Sequence, residues 1–496
     1  MKPISRRDAL ILGGAGLAAT AVGGAGLLWG WGRPGGAPGA ALGAGFAQPS
    51  ELRGADGVLD VRLAAARGQA QIAGRSANVL SFNGGVPGPT LRLAAGDRLR
   101  VRLENDLDDA TNLHVHGLHV SPTGSGDNPF VMIEPGDSFD YEYELPAGHP
   151  PGVYWYHPHH HGSVADQIFG GLYGAIIVED PEPIEASRER MLVVSNLSLT
   201  PTGNLASVSQ MERMLGREGD LVLVNGQANP RLDARPGERE RWRIVNACVS
   251  RYLRLRLDGQ RLQLLGLDSG RLRTPRDVDE VILAPGNRAD LLVTTARGTA
   301  VLRTEPYDRG AVGGGMMGGG GSGSLSSERV DLATLAVAGD AVAEPPRIPA
   351  QPTARDLRGA TVTARRELVF AMGMGGMMGG DGGDGGGGMM SFTINGREFD
   401  ADRVDTTVEA GSVEEWTLTN DSPMDHPVHL HVWPMQLVEV NGQEVDSVLR
   451  QDVVNVSARG SVRVRIAFED FAGRSVYHCH ILDHEDSGMM GVTEVR

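Results

Sequence analysis

The chain is short of cysteine, lysine, aromatic side chains and uniform hydrophobic runs, and each shortage excludes something. Cys248 and Cys479 are the only cysteines in 496 residues, too few for a disulfide framework. Lys2 is the only lysine, every other basic residue is arginine, and the formal net charge is −16. An acidic chain argues against a nucleic-acid partner. Aromatics make up 5%. What is plentiful is glycine, 70 residues, with 28 prolines. That balance favours short strands and many turns over long helices. The length suits three domains at roughly 150 residues each.

The first apolar run, ending near Trp31, is diluted by glycine and alanine and makes a weak membrane span. It follows Ser5-Arg6-Arg7-Asp8-Ala9-Leu10. Twin arginine before a mild hydrophobic stretch reads as a Tat-type export signal, with a single membrane anchor as the rival. Residues 1–47 are therefore set apart as a signal segment, with cleavage expected near Ala47. The Tat machinery is an expected partner, and the destination is periplasm, cell envelope or medium. That route carries folded cargo, which suits a protein that receives metal before export.

The rest of the chain repeats itself. Asn83-Gly84, Asn225-Gly226 and Asn395-Gly396 each follow an apolar residue. Gly96, Gly237 and Gly411 then stand before alternating runs that end, nine residues on, at Asn105, Asn246 and Asn420. Nine and eleven residues further come His114 and His116, Leu255 and Leu257, His429 and His431. Later, Gly152, Gly298 and Gly473 each precede by five residues His157, Arg303 and His478. Three related β-sandwiches follow, with limits 48–182, 183–345 and 346–496 and a linker around Glu344-Pro345-Pro346. Ligand-type residues occupy the first and third. The middle one is a spacer or covers a substrate site.

Near the end stands Tyr477-His478-Cys479-His480-Ile481-Leu482-Asp483-His484, and Met489 follows. Cysteine, histidine and methionine at these spacings, with one more histidine, describe a blue-copper electron-transfer site. Alternation along a strand points His478 and His480 away from the face of Cys479. Four histidine pairs with one residue between them (114/116, 157/159, 429/431, 478/480) offer eight imidazoles, too many for one ion and about right for three. His426 and His484 then join Cys479 and Met489. Cys248 reads as a buried free thiol. Of the remaining histidines, His149 reads as a turn residue, His119 as structural with substrate contact as the alternative, and His160 and His161 as loop residues or residues backing the ligands.

These motifs resemble those of the multicopper oxidase family, which includes bacterial laccase-like enzymes and cuprous oxidases. The resemblance implies an all-β fold of three tandem cupredoxin-like Greek-key domains holding four copper ions. Carried over by motif, type 1 copper takes His426, Cys479, His484 and Met489. Type 2 takes His114 and His429. The type 3 pair takes His116, His157, His159, His431, His478 and His480. The implied activity is one-electron oxidation of a reductant at type 1 and reduction of O2 to water at the trinuclear cluster. Asp127 and Glu485 are the acids placed to serve proton transfer. Relatives often carry Gly after the last histidine of the third motif, where this chain has Val432; no ligand change is expected from it.

Two Gly/Met-rich stretches, 310–323 and 372–390, hold eight of the 17 methionines. Thioethers select Cu(I), so Met372, Met374, Met377, Met378, Met389 and Met390, with Asp381 and Asp384, form a candidate substrate-copper loop. The expected reductants are Cu(I), phenols and aromatic amines, in a monomer with a role in copper tolerance. An envelope copper-sequestering protein without significant turnover is the alternative. A copper-free relative serving a structural role in division is disfavoured by the complete ligand set.

Overall fold

The computed structural model describes residues 44–312, 323–343, 345–374 and 390–496. Met377, Met378, Met389, Asp381, Asp384 and nearly all of the expected signal segment lie outside them. Among the described residues no helix is long and apolar enough to cross a membrane.

Six principal sheets pair into three sandwiches, each closed over its own apolar core. The first packs a four-stranded sheet (strand order Arg75–Phe82, Val58–Ile72, Arg98–Asp106, Ser138–Glu144) on a five-stranded one that ends in Gly152–His157 and His114–His116. Burial alternates residue by residue along Arg98–Asp106, as a half-buried strand requires. The third sandwich repeats the plan, with His426–Leu430 beside Gly473–Cys479 in its five-stranded sheet. The three-domain cupredoxin-like fold is as expected from the sequence.

The repeated asparagines explain why the plan recurs. Asn83, Asn225 and Asn395 adopt φ of 54°, 52° and 53°, each followed by a glycine at positive φ, the backbone of a tight Asn-Gly turn. Each side chain then spans the neighbouring strand. Oδ1 accepts from Ala64, Val193 or Val369 N–H, and Nδ2 donates to Arg62, Met191 or Glu367 carbonyl. Asn105, Asn246 and Asn420 are buried and clamp the following loops through two backbone carbonyls each or more. A buried amide must satisfy its donors, so these six residues set loop geometry in all three units.

One offset in the repeat needs correcting. In the first domain His114 stands across from His157, and in the third His429 from His478. In the middle domain Leu255 stands across from Thr304, not Arg303. The strand Gly298–Glu305 carries a register shift at Leu302/Arg303 against its other neighbour, and such a bulge turns the next side chain to the opposite face. Leu255 and Thr304 are both fully buried.

Candidate metal centre

Strand pairing brings the histidines together. The ladder between His114–His116 and Gly152–His157 aligns His114 with His157. The ladder between His426–Leu430 and Gly473–Cys479 aligns His429 with His478 and Val428 with Cys479. The two edges meet face to face across the boundary of the first and third domains. His114 Nε2 lies 3.3 Å from His429 Nε2. His478 Nε2 lies 3.2 Å from both His159 Nε2 and His431 Nε2. His116 Nδ1 is 3.3 Å from His157 Nε2. The His480 ring is 5.0 Å from that of His116, and neither of its nitrogens has a hydrogen-bond partner.

All eight rings are buried, none more than 2% exposed. Burial pushes their basicity down: His159 and His478 fall to about 4, and the other six lie well below the ordinary imidazole value. His114 and His429 each use Nδ1 toward an oxygen, so their facing Nε2 atoms both present lone pairs and neither can donate to the other. A first-row metal bonds imidazole nitrogen at about 2.0 Å, and two such bonds at a tetrahedral angle set the nitrogens about 3.3 Å apart. The observed separations fit copper ions held between the rings.

Cys479 points the other way, as alternation requires. Its Sγ lies 3.3 Å from His426 Nδ1 and 3.9 Å from His484 Nδ1, and all three are fully buried. Met489 is equally buried in the same core, and its carbonyl accepts the Cys479 N–H. Burial pushes the Cys479 thiol up, and a metal ligand there relieves that penalty by stabilising the thiolate. His426 Nε2 is satisfied by Ser422 Oγ at 2.7 Å, and His484 Nε2 by the Met214 carbonyl at 3.2 Å.

Both predicted acids sit against the cluster. Asp127 accepts from His114 Nδ1 at 2.9 Å and from the Val115 N–H at 3.1 Å. Burial raises its carboxyl to about 8. Glu485 Oε2 is 3.0 Å from His478 Nδ1 and Oε1 is 3.3 Å from His159 Nε2. Burial raises it to about 7, against the pull of His159.

Two residues that the sequence did not single out complete the surroundings. Asp452 accepts from His116 Nε2 at 2.9 Å through its carboxylate and from His429 Nδ1 at 2.7 Å through its carbonyl. Arg288, from the middle domain, forks onto that carboxylate at 2.5 and 2.7 Å.

Of the spare histidines, His119 and His149 are tied into the structure. His149 Nε2 accepts the His119 N–H, and His119 bonds the Val432 carbonyl and Asp470. His160 and His161 line a cleft of about 460 Å³ with Phe130, Met132 and Phe399. Val432, which follows the last histidine of the third motif, has φ of 68°, a region costly for a β-branched residue. Cys248 is a buried free thiol. Of the methionine loop, Met372, Met374 and Met390 stand in strands Ala364–Met374 and Met390–Ile394 rather than in the loop. Met372 pairs with Phe392, whose ring stacks on His484 at 4.5 Å.

The sheet architecture and the buried imidazole and cysteine set, together with the likenesses that follow, mark a copper-dependent oxidoreductase that uses O2. Multicopper oxidase family models match residues 64–183, 199–301 and 379–496. The chain is 27% identical over 429 residues to a multicopper oxidase of Staphylococcus haemolyticus, covering 84% of each. It is 25% identical over 554 aligned residues to copper resistance protein A of Escherichia coli, covering 84% of this chain and 89% of that one. A multicopper oxidase from Campylobacter jejuni, described as a metallo-oxidase, superposes with a TM-score of 0.76 at 30% identity, over 92% of this chain and 95% of that one. The chain belongs to the multicopper oxidase family.

Proposed function

We propose that the protein, divided at 48–182, 183–345 and 346–496, is a cuprous oxidase with broad activity on phenols and aromatic amines. In this reading His426, Cys479, His484 and Met489 hold type 1 copper. His114 and His429 hold type 2, and His116, His157, His159, His431, His478 and His480 hold the type 3 pair. The observation that carries it is the adjacency of Cys479 to His478 and His480. The strand Gly473–Cys479 and the residue after it deliver a cysteine to one site and two imidazoles to the other, so one peptide unit on each side of Cys479 joins the sites.

When bound, the four coppers supply one-electron steps that take four electrons from the reductant and deliver them to O2, which with four protons gives two waters. The chain's own part is positioning and proton handling. Burial of all eight imidazoles excludes bulk water, and their neutral state leaves the lone pairs free. Asp127 orients His114 through Nδ1 and holds a proton beside the type 2 side. Glu485, between His159 and His478, serves the opposite side. We place substrate entry at the His484 end, where the partly buried thioethers of Met214, Met372 and Met390 pack around the buried Phe392 core and suit Cu(I). The metallo-oxidase and copper-resistance relatives support this choice and a role in copper tolerance. The Arg6-Arg7 segment supports Tat-type export.

Cys479→Ser tests the reading. It is expected to abolish the blue absorption and O2 uptake with Cu(I) or a phenol. Persisting oxidase activity refutes the path drawn here. Rates with Cu(I), Fe(II), Mn(II) and a phenol, measured side by side in added copper, decide the substrate; a Cu(I) rate no higher than the others refutes the cuprous assignment.

A further inference from the structure

The middle domain offers no imidazole to either site, yet its Arg288 is fully buried at the edge of the histidine cluster. The guanidinium reaches into all three domains. Nε donates to the Val153 carbonyl of the first at 3.0 Å, and Nη1 to the Gly286 carbonyl of its own at 3.3 Å. The fork on the Asp452 carboxylate belongs to the third.

Asp452 in turn governs two rings, His116 through its side chain and His429 through its carbonyl. Those rings stack 3.8 Å apart at 8°. His116 is turned the opposite way from four of the cluster imidazoles. His114, His157, His429 and His478 each tie Nδ1 to an oxygen and present Nε2 to a neighbouring ring. His116 ties Nε2 to Asp452 and presents Nδ1.

The space around the pair is closed. A Cβ on Gly117, which follows His116 at φ 85°, would stand 2.3 Å from Arg288 Nη2 and 2.8 Å from Asp452 Oδ2. A Cβ on Gly286 would stand 2.9 Å from His480 Nε2. The loop around Arg288 is thus fitted against two cluster rings, and glycine at 117 leaves room for the fork.

We propose that Arg288 is a positioning residue for the oxygen-reducing copper cluster: it fixes the Asp452 carboxylate, which holds His116 with Nδ1 inward and keeps it stacked on His429. The middle domain therefore takes part in metal retention rather than acting as a spacer. This rests on the ligand assignment above.

Arg288→Lys, Arg288→Gln and Asp452→Asn, purified and loaded with copper, are compared with wild type by copper content per chain, blue absorption, type 2 EPR signal, and copper retention against a graded chelator. Partners of this kind commonly govern metal affinity by about 10–100-fold. Retention at the cluster is expected to weaken at least about tenfold in Arg288→Gln and Asp452→Asn, with an altered EPR signal and the blue absorption kept. Arg288→Lys keeps the charge but not the fork, so it is expected to fall between them and wild type.

Gly117→Ala, which displaces the fork without removing a charge, should reproduce the loss. Arg241→Gln serves as the structural control, a buried arginine between the first two domains bonded to Asp290 and Asp180, expected to melt earlier with normal copper signals. Wild-type retention and EPR in both Arg288 variants overturn the proposal. So does equal loss in Arg241→Gln, which would make the effect one of stability. A wild type that binds no copper at the cluster fails the ligand assignment itself and is read separately.

Discussion

Asp290→Asn isolates the charge network that joins the first two domains. The Asp290 carboxylate takes Arg241 at 2.9 and 2.6 Å and Arg271 at 3.1 Å. Asp180 accepts from the same two arginines at 2.6 and 2.7 Å, and Arg243 lies alongside. All five side chains are at most 5% exposed. Amide for carboxylate leaves three buried guanidiniums facing one fewer charge. Removing one partner of a buried pair costs about 3–5 kcal/mol. In a cooperative unit of 150–250 residues each kcal/mol moves the melting temperature roughly 2–4 °C, so a fall of about 6–20 °C is expected by calorimetry at neutral pH. The pH dependence follows from linkage. Burial alone would raise the Asp290 carboxyl, but the Arg241 charge and hydrogen bonds, with Arg243 and Arg271, outweigh it and hold it well below the usual carboxylate range. A depressed folded value contributes stability that is present above the unfolded value, about 3.9, and is lost as the pH falls toward the folded one. The gap between wild type and variant should therefore be widest near neutrality and narrow below about pH 4. A shift under about 2 °C at pH 7 would mean that the network contributes less than one kcal/mol, and a gap that widened in acid would reverse the sign argued here.

Replacing residues 375–389 by a short Gly-Ser turn keeps the strands that carry Met372 and Met390. It is expected to raise turnover of bulky phenols and lower Cu(I) oxidation; both rates falling together, or neither moving, counts against a copper-specific loop. Glu485→Gln is expected to slow O2 consumption at least about 10²-fold while the blue absorption and its anaerobic bleaching by substrate persist. An unchanged steady-state rate removes Glu485 from proton delivery. Phe392→Ala deletes a ring that is 3% exposed and stacked on His484. It should cost about 3–5 kcal/mol of stability and shift the blue absorption, and an unshifted spectrum would show that the stack does not constrain the ligand.

The fold and the histidine constellation were legible because both rest on short-range pattern. An Asn-Gly turn, a nine-residue offset and a one-residue gap between histidines each specify local geometry, and strand alternation then separates Cys479 from His478 and His480. Asp452 and Arg288 left no such trace. Asp452 is 336 residues from His116 and Arg288 is 164 from Asp452, and neither stands in a motif. Their roles exist only after three domains have docked. Arg303 was misplaced because a bulge adds a residue without changing composition. Met372, Met374 and Met390 read as loop because their glycine and methionine neighbours hide the ladder that Phe370, Phe392 and Ile394 form.

The scarcity of lysine acquires a physical reason from the same contacts. In the middle domain Arg190 forks onto Glu240 at 2.6 and 2.8 Å while Trp242 Nε1 donates to the same carboxylate. In the third, Arg366, Glu414 and Trp416 repeat the arrangement. Arg217 forks onto Asp483, beside His484, as Arg288 does onto Asp452. Each site needs two parallel donors in a plane and a charge that survives burial. A guanidinium provides both, whereas an ammonium is a point charge, more strongly hydrated, whose burial drives it toward neutrality. A molecule that pins buried carboxylates at these places draws on arginine to do so. The middle domain, freed of ligands by Leu255, Leu257 and Thr304, supplies Arg190, Arg217, Arg241, Arg243, Arg271 and Arg288. Through Asp452 and Asp483, Arg288 and Arg217 reach both the histidine cluster and the surroundings of Cys479.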